Sequence, residues 1–169
     1  LIVAKTPEAF VDLQRQFKER LVAKTYVALV HGEVVPEEGE ISVPVGRLPW
    51  NRKRFGIVAE GRESSTSYKV LNYYELNTDN YTLLELRPKT GRTHQIRVHL
   101  KYLNYPIVSD ALYGGRKRAR NDRKKLSRMF LHAKAITFTH PKTQKPLSFE
   151  SPIPQDLQSL LTLCKQSLS

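Results

Sequence analysis

The densest chemistry in the chain lies in one run: Arg87-Pro88-Lys89-Thr90-Gly91-Arg92-Thr93-His94-Gln95-Ile96-Arg97-Val98-His99. It reads as a strand end, a glycine turn and a helix start that carries two arginines and two histidines. Gly91 is expected to let the chain turn sharply. A helix start presents free N–H groups to an anion, and Arg92 and Arg97 can each grip a phosphate or carboxylate with a planar fork. The same residues would also suit a basic helix that merely begins at the surface, and spacing alone leaves both readings open.

The elements that must hold this run are legible as changes of period. Phe10, Leu13, Phe17 and Leu21 recur at helical spacing after Pro7, which predicts an amphipathic helix. Residues 25–35 (TYVALVHGEVV) and 41–43 read as strands separated by the turn cluster Pro36-Glu37-Glu38-Gly39. Residues 46–54 (GRLPWNRKR), polar, basic and broken by Pro49, are expected to be an exposed loop. Residues 64–74 and 81–87 form an expected antiparallel pair across Asn77-Thr78-Asp79-Asn80. In residues 93–103, Ile96, Leu100 and Leu103 share a helical face. Residues 116–125 (RKRARNDRKK) are expected to be an exposed loop or frayed helix. Two short strands, 135–139 and 147–149, flank the turn at His140-Pro141, and Pro154 opens a last helix with Leu157, Leu160, Leu161 and Cys164. Leu1 to Ala4 reads as the end of a buried strand that begins upstream. The predicted class is α+β, a mostly antiparallel mixed sheet flanked by a few helices, with 1–169 as a single domain.

Composition narrows the partners. The chain has 28 Lys and Arg against 16 Asp and Glu, a net charge of +12, with the basic residues spread along its length. Such a balance favours a polyanion, because lysines and arginines displace condensed counterions from phosphates. Cys164 is the only cysteine, which excludes an internal disulfide and a cysteine-based metal cluster and fits a reducing compartment. No apolar run is long enough to cross a bilayer. A cytoplasmic location, no membrane partner and no metal are expected. A general DNA-binding module finds no helix-turn-helix pattern or zinc spacing in its support.

Four ordered blocks then resemble one family. Residues 91–99 (GRTHQIRVH), 105–114 (YPIVSDALYG) and 130–133 (FLHA), with 24–29 (KTYVAL) before them, are similar to the RluA-type pseudouridine synthases. The resemblance runs from about Leu1 to the region of Pro152. It implies that the parent protein isomerises uridine to pseudouridine in ribosomal or transfer RNA, moving the ribose bond from ring nitrogen to ring carbon without a cofactor. It also implies a protein that is monomeric when complete. Tyr26 matches the tyrosine that stacks on the uracil, and Arg97 the basic residue that holds the catalytic aspartate ionised. These are the two expected catalytic residues. Arg92 and His94 fit contacts to the flipped nucleotide or its phosphates, or a local structural role; Gln95 is expected to contact the RNA, Leu131 to pack in the core or else line the uracil pocket, and His99 and His132 to satisfy local hydrogen bonds.

One part of the pattern is missing. The family's aspartate lies in a His-Arg-Leu-Asp block that runs into a strand closing in Val-Ala-Lys, and Leu1-Ile2-Val3-Ala4-Lys5 resembles that closing strand. Asp12, Asp79, Asp110, Asp122 and Asp156 stand in other contexts, with Asp110 expected to be structural. The chain alone is therefore expected to bind RNA weakly without catalysing isomerisation, to leave Arg97 without its partner, and to be marginal or aggregation-prone unless a second polypeptide supplies the rest. A non-catalytic RNA-binding protein that keeps the fold is the alternative.

Overall fold

In the computed structural model, which describes residues 2–167, the chain is built on an antiparallel sheet of seven strands with a separate two-stranded hairpin. The first element is the helix α1 (Pro7–Lys18). Thr6 caps it by accepting the Ala9 N–H on Oγ1 at 3.2 Å, and Pro7 sits where a missing N–H costs nothing. The strands β1 (Ala23–His31), β2 (Glu38–Ser42), β5 (Ser65–Leu76), β6 (Asp79–Pro88), β7 (Leu131–Thr139) and β8 (Pro146–Glu150) are arranged in the order β2-β5-β6-β1-β7-β8. The remaining pair, β3 (Val45–Leu48) and β4 (Asn51–Ile57), forms the hairpin. Helices α2 (Gln95–Tyr102), α3 (Arg116–Asp122) and α4 (Gln155–Leu163) follow, and a short β9 (Lys165–Ser167) adds to β5. The fold is α+β, as predicted.

β1 is an interior strand because its sequence permits nothing else. Val27, Ala28, Leu29 and Val30 are consecutive and all essentially inaccessible. A strand sends alternate side chains to opposite faces, so four buried neighbours in a row require both faces to be covered. The core that does so joins β1 to Leu83, Leu84 and Leu86 of β6, Ile96 and Leu100 of α2, and Leu157 and Leu160 of α4. β5 and β6 close through the two-residue turn Asn77-Thr78, with Asn77 at φ 59, a conformation asparagine tolerates.

Three expectations need correction. Residues 46–54 are no loop: most belong to the β3–β4 hairpin, in which Arg47 pairs in register with Phe55 and Gly46 with Gly56. Its strands are short and rich in Arg and Lys, so the apolar Leu48, Phe55 and Ile57 give no strand signal around Pro49. Residues 2–4 form no strand, and Leu1 lies outside the described residues. Ile2 and Ala4 instead drape over a small cluster of Leu13, Val22 and Phe138, while Val3 is exposed. The basic run of 116–125, expected as an exposed loop or frayed helix, takes the helical form over Arg116–Asp122, with Ala119 and Asp122 buried. In α1, Leu13 is buried but Phe10, Phe17 and Leu21 are largely exposed. This helix docks through Gln16, whose amide donates to the Thr139 carbonyl (2.8 Å) and accepts the Thr139 N–H (2.9 Å), completing the end of β7 as a peptide group would.

Candidate functional site

Tyr26 sits at the middle of β1, opposite Leu86 of β6 and Ala133 of β7. Between Thr25 and Tyr26 the β7 register slips by one residue, a bulge that locally bends the ladder and re-aims a side chain. Beside it the chain leaves β6 at Pro88, passes through Thr90–Thr93 and enters α2. His94 precedes α2 in the left-handed region (φ 57, ψ 16). That corrects the role expected of Gly91, which has no left-handed backbone; a Cβ there would meet nothing within 4 Å. The sharp turn is made by His94, and Gly91 leaves open space.

Tyr26, Arg92, His94, Gln95, Arg97 and Leu131 all line one cavity of about 190 Å³ with mainly apolar walls. It is smaller than the ~300 Å³ at which sites for drug-sized ligands begin, and suits one planar ring. Lys24 also lines it. Burial pushes the Lys24 ammonium below its ordinary value. The residue lies in the KTYVAL block two places before Tyr26, hence on the same face of β1, and that spacing is the signal by which it could have been chosen.

Arg97 is not left without a partner. Its Nε and Nη2 donate to Oδ2 and Oδ1 of Asp110, each at 2.8 Å, and its guanidinium lies 4.8 Å from the centre of the Tyr113 ring. Asp110 is wholly inaccessible and also accepts the backbone N–H groups of Leu112 and Tyr113. Burial alone would raise its pKa; the Arg97 fork and the two N–H groups outweigh that and hold it below the ordinary carboxylate range. Asp110 also raises the Arg97 pKa further. The pair leaves Nη1 of Arg97 outside its fork. Tyr113, which the sequence reading passed over, ties the site to the hairpin: its hydroxyl accepts the Phe55 N–H and meets His94 Nδ1, both at 3.0 Å. Burial, with Arg97 adding to it, lowers the His94 pKa.

Behind the wall runs a closed hydrogen-bond chain. Thr90 Oγ1 donates to Gln95 Oε1 (2.6 Å), which also accepts the Arg92 N–H (3.0 Å). Gln95 Nε2 donates to the Ser65 carbonyl and Thr66 Oγ1, both at 2.9 Å. Thr66 meets His99 Nδ1 at 3.0 Å, His99 Nε2 meets Ser64 Oγ at 2.8 Å, and Ser64 donates to the Val43 carbonyl at 2.6 Å. The donors and acceptors balance with His99 neutral and its proton on Nε2. Burial pushes its pKa down to about 4. Gln95 thus lines the cavity while its amide is engaged within the protein, and His99 satisfies local bonds as expected.

None of the five aspartates faces this cavity. Asp12 pairs with Arg15, Asp110 with Arg97 and Asp156 with Arg128; Asp122 meets His31, and Asp79 lies near Lys125 on the surface. Among the described residues, no group of three or more His, Cys, Asp or Glu is placed to hold a metal ion, and no helix is long and apolar enough to cross a membrane.

Comparison with known proteins shows the family. Residues 1–102 match the family described as RNA pseudouridylate synthase. A protein of Chloroflexus aurantiacus called an uncharacterized RNA pseudouridine synthase is 42% identical over 161 residues, covering 95% of this chain and 48% of that protein. Ribosomal large subunit pseudouridine synthase D of Nitrosomonas europaea is 40% identical over 167 residues, covering 95% of this chain and 46% of the relative. The chain spans about half the length of the curated relatives it matches. The solved structure of human RNA Pseudouridylate Synthase Domain Containing 1 superposes with a TM-score of 0.83 at 32% identity, covering 98% of this chain and 68% of that one. With the family's sequence model matching well over half of the chain and the same fold in a solved synthase domain, the chain belongs to the RNA pseudouridylate synthase family, of the RluA type.

Proposed function

We propose that this chain forms the base-binding wall of a cytoplasmic enzyme that isomerises uridine to pseudouridine in ribosomal or transfer RNA. A uridine flipped out of its stack enters the cavity, with the Tyr26 ring against its face and Leu131 on the apolar wall. Arg97, fixed by Asp110 and Tyr113, keeps Nη1 for a second carboxylate and holds that carboxylate ionised. Arg92 and His94 contact the nucleotide or its phosphates at the rim. The reaction breaks the bond from the ribose to the ring nitrogen and remakes it to the ring carbon. It requires a charged aspartate beside the sugar, and these 169 residues place none there.

The convergence of all six residues on one ring-sized cavity that lacks an aspartate carries this reading. The chain alone is accordingly inactive, while charge-driven RNA binding survives. The test is pseudouridine formation in uridine-containing ribosomal and transfer RNA by this chain and by a protein extended upstream to include a His-Arg-Leu-Asp block. Turnover by the extended protein and none by the chain is the expected result. Turnover by the chain alone would refute its inactivity, and no turnover by either on any such RNA would refute the isomerase reading. A non-catalytic RNA-binding protein is the second reading, favoured by one observation: the Arg97–Asp110 pair is complete without any further carboxylate.

A further inference from the structure

Among the described residues, α3 and the turn after it carry the most concentrated charge on the molecule. Residues 116–125 hold Arg116, Lys117, Arg118, Arg120, Arg123, Lys124 and Lys125 against a single acid, Asp122. That acid is buried, so the exposed surface of the segment is uniformly cationic. Lys125 lies 4.0 Å from Asp79 and over the Tyr81 ring; among the described residues, the side chains of the other six make no ion pair or hydrogen bond.

A helix of this composition works against itself. Arg116 and Arg120 are spaced four residues apart, where like charges repel by a few tenths of a kcal/mol per pair. An ordinary solvated helix places acids at those positions. Here the structure fixes the helix in place regardless. Asp122 Oδ2 meets His31 Nε2 at 3.0 Å and accepts the Ser109 N–H at 2.9 Å, Ala119 is buried, and Ser109 Oγ reaches the Leu126 carbonyl at 2.8 Å. The one acid of the segment is thus spent on anchoring it, and the cations are all turned outward. Beneath them lies an open groove of about 530 Å³, reaching from Gly114–Arg118 to His31. Its two acids, Asp79 and Asp122, are those already engaged by Lys125 and by His31 with Ser109.

The platform has a fixed relation to the uridine cavity. The segment that leads into it carries Asp110, which grips Arg97, and Tyr113, which meets His94; α3 begins three residues after Tyr113. We propose that α3 with Arg123 and Lys124 is a second RNA contact, a rigid cationic platform for the phosphodiester backbone of the same RNA whose uridine enters the Tyr26 cavity. The proposal rests on the RNA reading above. A helix of seven residues is about 10 Å long, which spans about three phosphates of one strand. Contacts of this kind to phosphates position the RNA and carry no sequence information directly.

The test measures how affinity for a uridine-containing RNA stem-loop depends on salt. The unaltered chain is compared with a variant carrying Lys117→Gln, Arg120→Gln and Lys124→Gln. A charge-matched control carries Lys18→Gln, Lys142→Gln and Lys145→Gln. The control residues lie at the other end of β1, about 25–30 Å away for a nine-residue strand, since Ala23 pairs with Thr137 and His31 contacts α3. The α3 variant should lose about tenfold or more in affinity at moderate salt, and its log–log salt slope should fall by about two, at ~0.7–0.9 per phosphate contact. The control should change little. Asp122→Ala, which keeps every cation and raises the net charge, should also weaken binding because it frees the helix. Equal losses in the α3 variant and the control, no loss in the α3 variant, or a folded Asp122→Ala variant that binds as tightly as the unaltered chain would each overturn the platform. Failure of the unaltered chain to bind RNA at low salt would overturn the RNA reading itself, and the platform with it.

Discussion

Arg97 and Asp110 show how one residue pair can set a site's electrostatics. The fork between them is nearly dry, with the Asp110 side chain inaccessible and that of Arg97 only 17% exposed. Removing one partner leaves the other as an uncompensated buried charge, so Asp110→Ala should destabilise the fold by about 3–5 kcal/mol in denaturant unfolding. A loss under about 1 kcal/mol would mean that water already screens the pair. His99 makes a second prediction, in pH. Its folded pKa, about 4, lies below the ordinary value of 6.5, so between those values the unfolded chain binds more protons than the folded one. Stability is therefore full above about pH 6.5 and falls as the pH drops toward 4. The loss from this one group should be about 2 kcal/mol between about pH 7.5 and about pH 5. A His99→Gln variant, less stable at neutral pH, should show a correspondingly flatter profile over that range, and an unchanged profile would deny His99 its buried, neutral state.

At the scale of elements, the hydrogen bonds between segments decide what packs where, and these the sequence shows least. α1 was legible from Pro7 and its periodic apolar residues. Its docking was not, because a glutamine among charged residues gives no sign that it will complete a distant strand. Gln16→Ala should strand the Thr139 N–H and carbonyl, cost about 1–3 kcal/mol, and speed proteolytic cleavage near α1 before the sheet unfolds. Identical cleavage rates would show that Leu13 alone holds the helix. The β3–β4 hairpin was hidden for a different reason. Its strands are short and basic, and the contact that seats it, the Phe55 N–H on the Tyr113 hydroxyl, spans 58 residues. By contrast β1, β5, β6 and α2 were plain, since a four-residue apolar run, a strand pair with an asparagine turn and a change from period two to period 3.6 are local signals. For the site, residue type and motif order brought six residues to one cavity. They could not reveal that Gln95 and His99 belong to one buried chain, or that Asp110 would grip Arg97.

At the scale of the whole molecule, the surface is uneven. Phe10, Val11, Phe17 and Leu21 are exposed on and just beyond α1. Phe149 is exposed on the edge strand β8, where it stacks on Phe138 near the base of α1. Edge strands and exposed apolar patches favour self-association. The chain alone should therefore self-associate with rising concentration in sedimentation or light scattering. Phe10→Ser with Phe17→Ser should reduce this without lowering Tm by more than about 2 °C, since both rings are already largely in water. An unaltered tendency to associate would place the sticky surface elsewhere. Elsewhere on the molecule lie a ring-sized apolar cavity and the proposed cationic platform, joined by the segment from Asp110 to Gly115. The most direct test of what that arrangement is for is a crystal structure of the chain with a uridine-containing RNA stem-loop. A uridine flipped from its stack, its ring against Tyr26 in the 190 Å³ cavity and its sugar near Nη1 of Arg97, is the predicted result. A uridine left stacked in the RNA, or a base seated instead in the larger polar cavity beside Ser64 and Glu63, would contradict it.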